Sequence, residues 1–308
     1  MSRRRRGQAI HGWLAIDKPV GITSTDVVNR LRRTMDAAKV GHGGTLDPLA
    51  SGVLPIAFGE ATKTVSYVMD GTKVYHMVVG WGEARDTDDR EGKVIDTSDV
   101  RPDAQAITAM LARFTGEIEQ VPPIYSAVKV EGRRSYDLAR ADQAVELKSR
   151  KILIKDLTLL DTSTPDFGHF RIVSGKGAYM RSLARDLALA LGTVGHVVAL
   201  RRLACGPFTA ETAISLDMVD ALGHDAPHSE SLLPIEAALA DIPAVPLTEA
   251  EARRLSQGQP VSLLHLASRT PLNGLAQGGT VQALLNGKLV ALAKIVEGEI
   301  RPLRVVNL

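Results

Sequence analysis

Gly41-His42-Gly43-Gly44-Thr45-Leu46-Asp47-Pro48-Leu49-Ala50-Ser51-Gly52 is the stretch on which the reading of this chain turns. Four glycines in twelve residues let the backbone enter the left-handed region and come close to a ligand. Three readings compete. A phosphate cradle fails, because no Gly-Lys-Ser/Thr follows. A plain turn, with Asp47 bonding its own backbone ahead of Pro48, is favoured on composition alone. The third is a catalytic carboxylate held rigidly by Pro48 and by the apolar Leu46 and Leu49. Physics alone makes that the minority view.

Working outward, Gly12 to Asp17 reads as a short strand ending at Lys18-Pro19. Thr23-Ser24 offers an N-cap, and Val27, Val28, Leu31 and Met35 fall on one helical face. The glycine-rich loop interrupts from Gly41 to Gly52, and Val53 to Phe58 resumes as a strand. Ala61 to Met69 reads as a helix, Thr72 to Trp81 as a strand, and Asp86 to Gly92 as a polar turn. Pro102 to Phe114 is predicted helical, with Pro102 near the first helical position. Ile124 to Val130 and Ile152 to Leu160 read as strands with a helix, Arg134 to Arg140, between them. Phe170 to Val173 is another strand. Met180, Leu183, Ala184, Leu187 and Leu191 mark one face of a helix that Gly192 closes, and Val197 to Leu203 is a strand.

Strands and helices mix without strict alternation. The predicted class is α+β, with a mixed, largely antiparallel sheet flanked by helices. The division expected is a basic tail over 1–11, a catalytic domain over 12–242 and a small β-barrel-like domain over 243–308. The last unit carries a helix at Thr248 to Leu255 and strands at Val281 to Leu285, Leu289 to Val296 and Leu303 to Val306. Gly223 to Ser231 reads as a surface loop.

The 308 residues are 44% hydrophobic and 23% charged, as in ordinary globular proteins. Net charge is only +2, so basic character is local: Arg3 to Arg6, Arg32-Arg33, Arg133-Arg134, Lys148-Arg150-Lys151 and Arg201-Arg202. Each cluster could neutralise phosphates; for any single one, a solvated surface is the better reading. Cys205 is the only cysteine, which excludes an intramolecular disulfide and Cys-based zinc sites. His42, His76, His169 and His196 show no ligand spacing, so no metal is expected. No apolar run approaches the ~20 residues of a membrane span. No apolar segment follows the basic N-terminus as a secretory signal requires, and a cytoplasmic protein is expected.

The segment Gly41 to Pro55, GHGGTLDPLASGVLP, closely resembles the active-site motif of the TruB-type tRNA pseudouridine-55 synthases. Further matches follow in that family's order. Trp13 to Gly21, WLAIDKPVG, resembles the N-terminal motif, and Gly59-Glu60-Ala61-Thr62-Lys63 the segment behind the site. Thr72-Lys73-Val74-Tyr75 resembles the tyrosine motif, and Val121 to Ala127 another familiar stretch. Lys176 to Leu183 resembles the arginine motif, and His196 to Leu203 the Leu-Arg-Arg strand. The resemblance runs from about residue 12 to 215, with a weaker match to a C-terminal RNA-binding PUA-like domain.

The resemblance implies a pseudouridine synthase fold. It implies isomerisation of uridine 55 in the T loop of tRNA, with Asp47 as nucleophile, without cofactor, metal or guide RNA. Asp47 would add to C6 of the base or capture C1′; the sequence leaves both open. A carboxylate in a site that excludes water needs a cation nearby to stay ionised. Arg181 is the natural partner. It lies at the start of a predicted helix, where the helix dipole disfavours a cation and a purely structural arginine would be less comfortable. The competing reading, a surface arginine pairing with Asp186, is equally good without the motif. By resemblance Tyr75 stacks on the target base and takes the C5 proton. On pattern alone it is a sheet-face tyrosine, on one side with Met77, Val79 and Trp81. Tyr179 and Leu200 resemble pocket-lining residues, and Lys63 and Asp89 supporting polar ones. His42 resembles a residue that pushes into the T loop beside the space left by the extruded base. As a lone histidine it is a turn residue facing solvent.

Departures are Arg85-Asp86-Thr87-Asp88-Asp89 where the family usually shows Thr-Asp-Thr, and Ala178 for a common threonine. Leu49-Ala50 resembles stand-alone bacterial enzymes; guide-dependent relatives more often carry a lysine there. A monomer binding the T arm of tRNA is expected. The alternative is a tRNA-folding chaperone without essential catalysis, against which the intact set of Asp47, Tyr75 and Arg181 speaks.

Overall fold

The computed structural model describes residues 7–126, 129–130, 133–134, 147–269 and 275–308. A sheet of ten strands organises the chain from Gly12 to Ser215. Its main path runs Ile214–Ser215, Gly12–Lys18, Ala50–Phe58, Gly195–Cys205, Lys73–Trp81, Phe167–Ser174, Arg150–Asp161 and Gly116–Gln120. Two pairings on that path are parallel, Gly12–Lys18 with Ile214–Ser215 and Gly195–Cys205 with Ala50–Phe58; the others are antiparallel. The mixed, largely antiparallel sheet expected from the sequence is what forms.

Alternation explains which face is buried. In Lys73–Trp81 the side chains of Lys73, Tyr75, Met77, Val79 and Trp81 point inward, while Val74, His76 and Val78 are partly exposed. Two helices, Ser24–Thr34 and Met180–Ala190, cover the inner face with Val27, Leu31, Leu183 and Leu187. The first begins at a capping box in which Thr23 and Asp26 satisfy each other's backbone donors.

The sequence misses several local features. The glycine-rich loop is shorter than expected, because Val40–His42 already pairs with the strand that opens at Ala50. Gly52 lies within that strand at φ +100, and a Cβ there would meet the Arg202 carbonyl oxygen at 2.2 Å. The helix expected from Ala61 to Met69 breaks at Thr64 into a 3-10 turn, Gly59–Lys63, and a short helix, Val65–Asp70. Thr64 spends its hydroxyl on the Ala61 carbonyl while accepting the Trp13 indole N–H. Pro102 stands just before the cap rather than inside the helix: Asp103 caps Ala104–Leu111, its carboxylate accepting the Ala106 N–H at 2.8 Å. Residues 124–126 form bends rather than a strand. Pro122 and Pro123 lack the donors a ladder needs, and the Val121 and Tyr125 carbonyls are spent on Ser182, Arg185 and Arg181. Lys129–Val130 does pair with Arg133–Arg134; the helix expected from Arg134 to Arg140 lies mostly outside the described residues. Gly223 to Ser231 contains a 3-10 turn, Gly223–His228, that buries Ala226.

A second sheet of five strands follows, ordered Ala244–Pro246, Thr280–Leu285, Lys288–Val296, Glu299–Val305 and Val261–Ser262. The helix Glu249–Ser256, capped by Thr248 and Glu251, packs Ala252 and Leu255 against it. Leu289, Leu292 and Val306 share a cluster with Trp13, Val53, Ala57 and Phe208, so the second sheet packs on the outer side of the first. Among the described residues no helix is long and apolar enough to cross a membrane.

Candidate active site

The Gly43–Leu49 segment is fixed from several sides. Ser24 clasps Leu46 twice: its Oγ accepts the Leu46 N–H at 2.8 Å and donates to the Leu46 carbonyl at 3.0 Å. Leu46 and Leu49 are buried. The Pro48 carbonyl accepts the Gly21 N–H at 2.8 Å. Lys18, fully buried, points its ammonium at the carbonyls of Pro19, Ile22 and Pro48. Burial pushes its pKa down to about 8, with the nearby Asp47 charge opposing. The turn is therefore rigid despite its glycines.

Asp47 emerges from this turn with its side chain one-third exposed, and its Oδ2 accepts the Arg181 Nε–H at 2.9 Å. Arg181 is almost wholly buried. Its remaining donors go to the carbonyls of Thr87 at 3.0 Å and Tyr125 at 2.9 Å. Behind it lies Asp89, also buried, with Oδ2 3.7 Å from an Arg181 terminal nitrogen. Asp89 Oδ1 accepts from the Thr87 hydroxyl at 2.6 Å and the Glu91 N–H at 3.0 Å. The carbonyls and two carboxylates dock the fork in one orientation, which a lysine could not reproduce.

The pair lies in the wall of a cavity of about 290 Å³. Tyr75 and Leu200 enter it from adjacent strands, and Tyr179 and Ala178 from the entry to the helix Met180–Ala190. Tyr75 is buried; burial pushes its phenol pKa up, and the adjacent Arg202 opposes the rise. Gln120 holds Tyr179 at both backbone groups, accepting its N–H at 2.8 Å and donating to its carbonyl at 3.1 Å. Arg150 lies over the Tyr179 ring, 4.7 Å from its centroid. Among the described residues four basic side chains, Lys73, Arg150, Arg181 and Arg202, face this cavity against one carboxylate, Asp47. Such a field suits a polyanionic ligand.

A model of the TruB family pseudouridylate synthase N-terminal domain matches residues 32–180, and one of the tRNA pseudouridylate synthase B C-terminal domain matches 181–240. Tyrosine, arginine and the glycine-rich turn fall in these matched stretches. The chain is 99% identical over 308 residues to the tRNA pseudouridine synthase B of Rhodospirillum rubrum, covering 100% of both. The chain belongs to the TruB family of pseudouridylate synthases. A relative from Gluconacetobacter diazotrophicus, also named tRNA pseudouridine synthase B, is 54% identical over 305 residues, covering 99% of this chain and 100% of its own. Among solved structures, a chain of a Cbf5-Nop10-Gar1 complex matches with a TM-score of 0.72 at 26% identity, over 97% of this chain and 85% of that one. The join between the two TruB models falls inside the helix Met180–Ala190, so the cavity draws on both.

Of the residues singled out from the sequence, the structure brings Asp47, Tyr75, Tyr179, Arg181 and Leu200 to this TruB cavity, with Asp89 directly behind Arg181. Two lie elsewhere. Lys63 donates to Glu60 and to the Val305 carbonyl, joining the 3-10 turn to the second sheet. His42 ends the strand Val40–His42 instead of riding a free loop. Its Nδ1 is buried without a partner among the described residues, and burial holds its pKa below the usual value. Sequence reasoning missed Lys73, Arg150 and Arg202 as cavity residues. Arg150 and Arg202 were read only within basic clusters, although strand alternation already separates each from its neighbours. Lys73 is buried against the carbonyls of Val68, Met69 and Gly71, capping the helix Val65–Asp70.

Proposed function

We propose that this chain isomerises uridine 55 in the T loop of tRNA to pseudouridine, with Asp47 as the nucleophile. The observation that carries the reading is the Asp47–Arg181 pair in the wall of a nucleoside-sized cavity. The substrate class comes from relatives whose names state tRNA pseudouridine synthase B. The reaction breaks the bond between C1′ and N1, turns the base and joins C1′ to C5. N1 gains a proton and C5 loses one, so no atom is added overall. Asp47 adds to C6 or captures C1′ and is released unchanged. Arg181 keeps the carboxylate ionised and aimed. Tyr75 stacks on the base and receives the C5 proton, and Tyr179 and Leu200 bound the base pocket.

The target must leave the folded T loop, at a cost of about a few kcal/mol in lost stacking. His42 fills the vacated space. The positive cavity lining offsets part of the cost by attracting the flanking phosphates. The second sheet serves as a PUA-like RNA-binding unit, with Lys288, Lys294, Arg301 and Arg304 exposed on it. The enzyme acts as a monomer in the cytoplasm, without guide RNA.

Asp47→Asn tests the reading. Tritium release from C5-labelled tRNA should vanish, while filter-binding affinity stays within about threefold, because the amide keeps the shape and loses only nucleophilicity. Normal release by the variant would remove Asp47 from the chemistry.

A further inference from the structure

Two adjacent arginines in the strand Gly195–Cys205 meet opposite fates. Arg201 faces outward and makes a bidentate pair with Asp17, at 2.9 and 2.8 Å. Arg202 faces inward, is 1% exposed, and lines the cavity. Among the described residues no carboxylate pairs with it. Its Nε donates to the Val53 carbonyl at 2.7 Å, and its terminal nitrogens donate to Thr45 at 3.4 Å and Gly44 at 3.0 Å. Val53 and Gly44 flank the turn that carries Asp47. Across the sheet, Arg202 is the register partner of Tyr75, and both side chains line the same cavity. A buried guanidinium without a counter-ion is a costly arrangement for a mere scaffold. It is well placed to meet negative charge that appears only during a reaction.

We propose that Arg202 is a positioning residue that acts through Tyr75, fixing its hydroxyl against the Asp47 turn and stabilising negative charge on the phenol oxygen. The proposal rests on the reading that Tyr75 takes the C5 proton. In that step the Tyr75 oxygen, its own proton already lost to solvent, binds the C5 proton. The C5–H electron pair closes the C5–C6 double bond, and the pair displaced from C6 goes to N1, which takes up a proton, or to the Asp47 oxygen where that had added at C6. Burial alone makes such a phenolate expensive, and the Arg202 charge works against that.

The test is a cycle of Arg202→Lys, Arg202→Gln and Tyr75→Phe with both double variants, reading single-turnover tritium release from C5-labelled tRNA and tRNA affinity. Arg202→Lys keeps charge without the fork and should slow release about tenfold; Arg202→Gln should slow it about a hundredfold, with affinity within about threefold in both. In the Tyr75→Phe background the same changes should cost less than about threefold, since the group they act through is gone. Equal losses in the two backgrounds, or no loss in either, overturn the proposal. A further arm leaves Arg202 and the fold intact. Replacing Tyr75 by 3-fluorotyrosine, a more acidic phenol of nearly the same shape, should move the acid limb of the wild-type pH–rate profile to lower pH. An unmoved limb also overturns the proposal. A wild-type chain that releases no tritium from tRNA sinks the substrate reading and this proposal together, whereas equal losses sink this one alone.

Discussion

Replacing Ser24, which does not itself line the cavity, by alanine should loosen the turn that carries Asp47. Ser24 is buried, and its hydroxyl satisfies both backbone groups of Leu46, the residue before Asp47. Alanine leaves that N–H and C=O unpaired in a packed setting, at about 1–3 kcal/mol each. The better helix propensity of alanine returns about 0.5 kcal/mol at the start of Ser24–Thr34. Partial relaxation of the turn lowers the sum, and a net loss of about 2–3 kcal/mol is expected. Urea unfolding followed by the fluorescence of Trp13 and Trp81 measures it. Asp47 lies one residue on, so its carboxylate should lose register with the Arg181 fork. Single-turnover tritium release should fall about 10–100-fold, as expected for a displacement near 1 Å. Affinity for tRNA should stay within about twofold, because the exposed contact surface is unchanged. A variant within about 0.5 kcal/mol of wild type that releases tritium at the normal rate would refute the idea that this clasp sets the nucleophile.

Arg181→Lys keeps the charge but loses the fork that reaches Asp47 and the Thr87 and Tyr125 carbonyls at once. Its turnover should drop at least about a hundredfold with affinity nearly unchanged, and equal losses in both would argue against the ion-pair role. His42 should leave a signature in acid. Burial, and secondarily the Arg202 charge, lowers its pKa in the folded chain from 6.5. The unfolded chain then binds more protons between the two values, so stability rises with pH through that window and is lost as pH falls below 6.5. The slope cannot exceed about 1.4 kcal/mol per pH unit for one group. His42→Gln should therefore lose less Tm than wild type between about pH 7 and pH 5, as read by thermal melts. An identical drop in the two proteins would mean that His42 titrates normally.

Long-period patterns were legible in the sequence, and side-chain hand-offs were not. The inward stripe of Tyr75, Met77, Val79 and Trp81 follows from a period of two, and the helix closed by Gly192 from a period near four. The Asp47–Arg181 pair was legible through the resemblance; the place of Arg181 at the start of its helix, where the dipole disfavours a cation, added modest support, and without the motif a surface arginine reads equally well. Three things escaped. The break at Thr64 depends on a hydroxyl that also receives Trp13 from 51 residues away, which no local window contains. The strand expected from Ile124 begins instead as bends over 124–126, where the Tyr125 carbonyl serves an arginine on a distant helix. Lys63, placed near the site by its motif, points instead toward a strand 242 residues further on. In each case the deciding bond joins segments that only the folded chain brings together.

The bond between Lys63 and Val305 has a partner, since the Asn307 N–H donates to Glu60 at 2.8 Å. The strand Glu299–Val305 and Asn307 just beyond it are thus latched at two points to the turn that follows Ala50–Phe58, the strand that starts just after Asp47. An RNA gripped by the C-terminal sheet, as proposed above, would be held at a set span from Asp47, and the latch would make the protein a ruler. Cutting the final few residues should blur where along an RNA the chemistry falls before it weakens the chemistry itself.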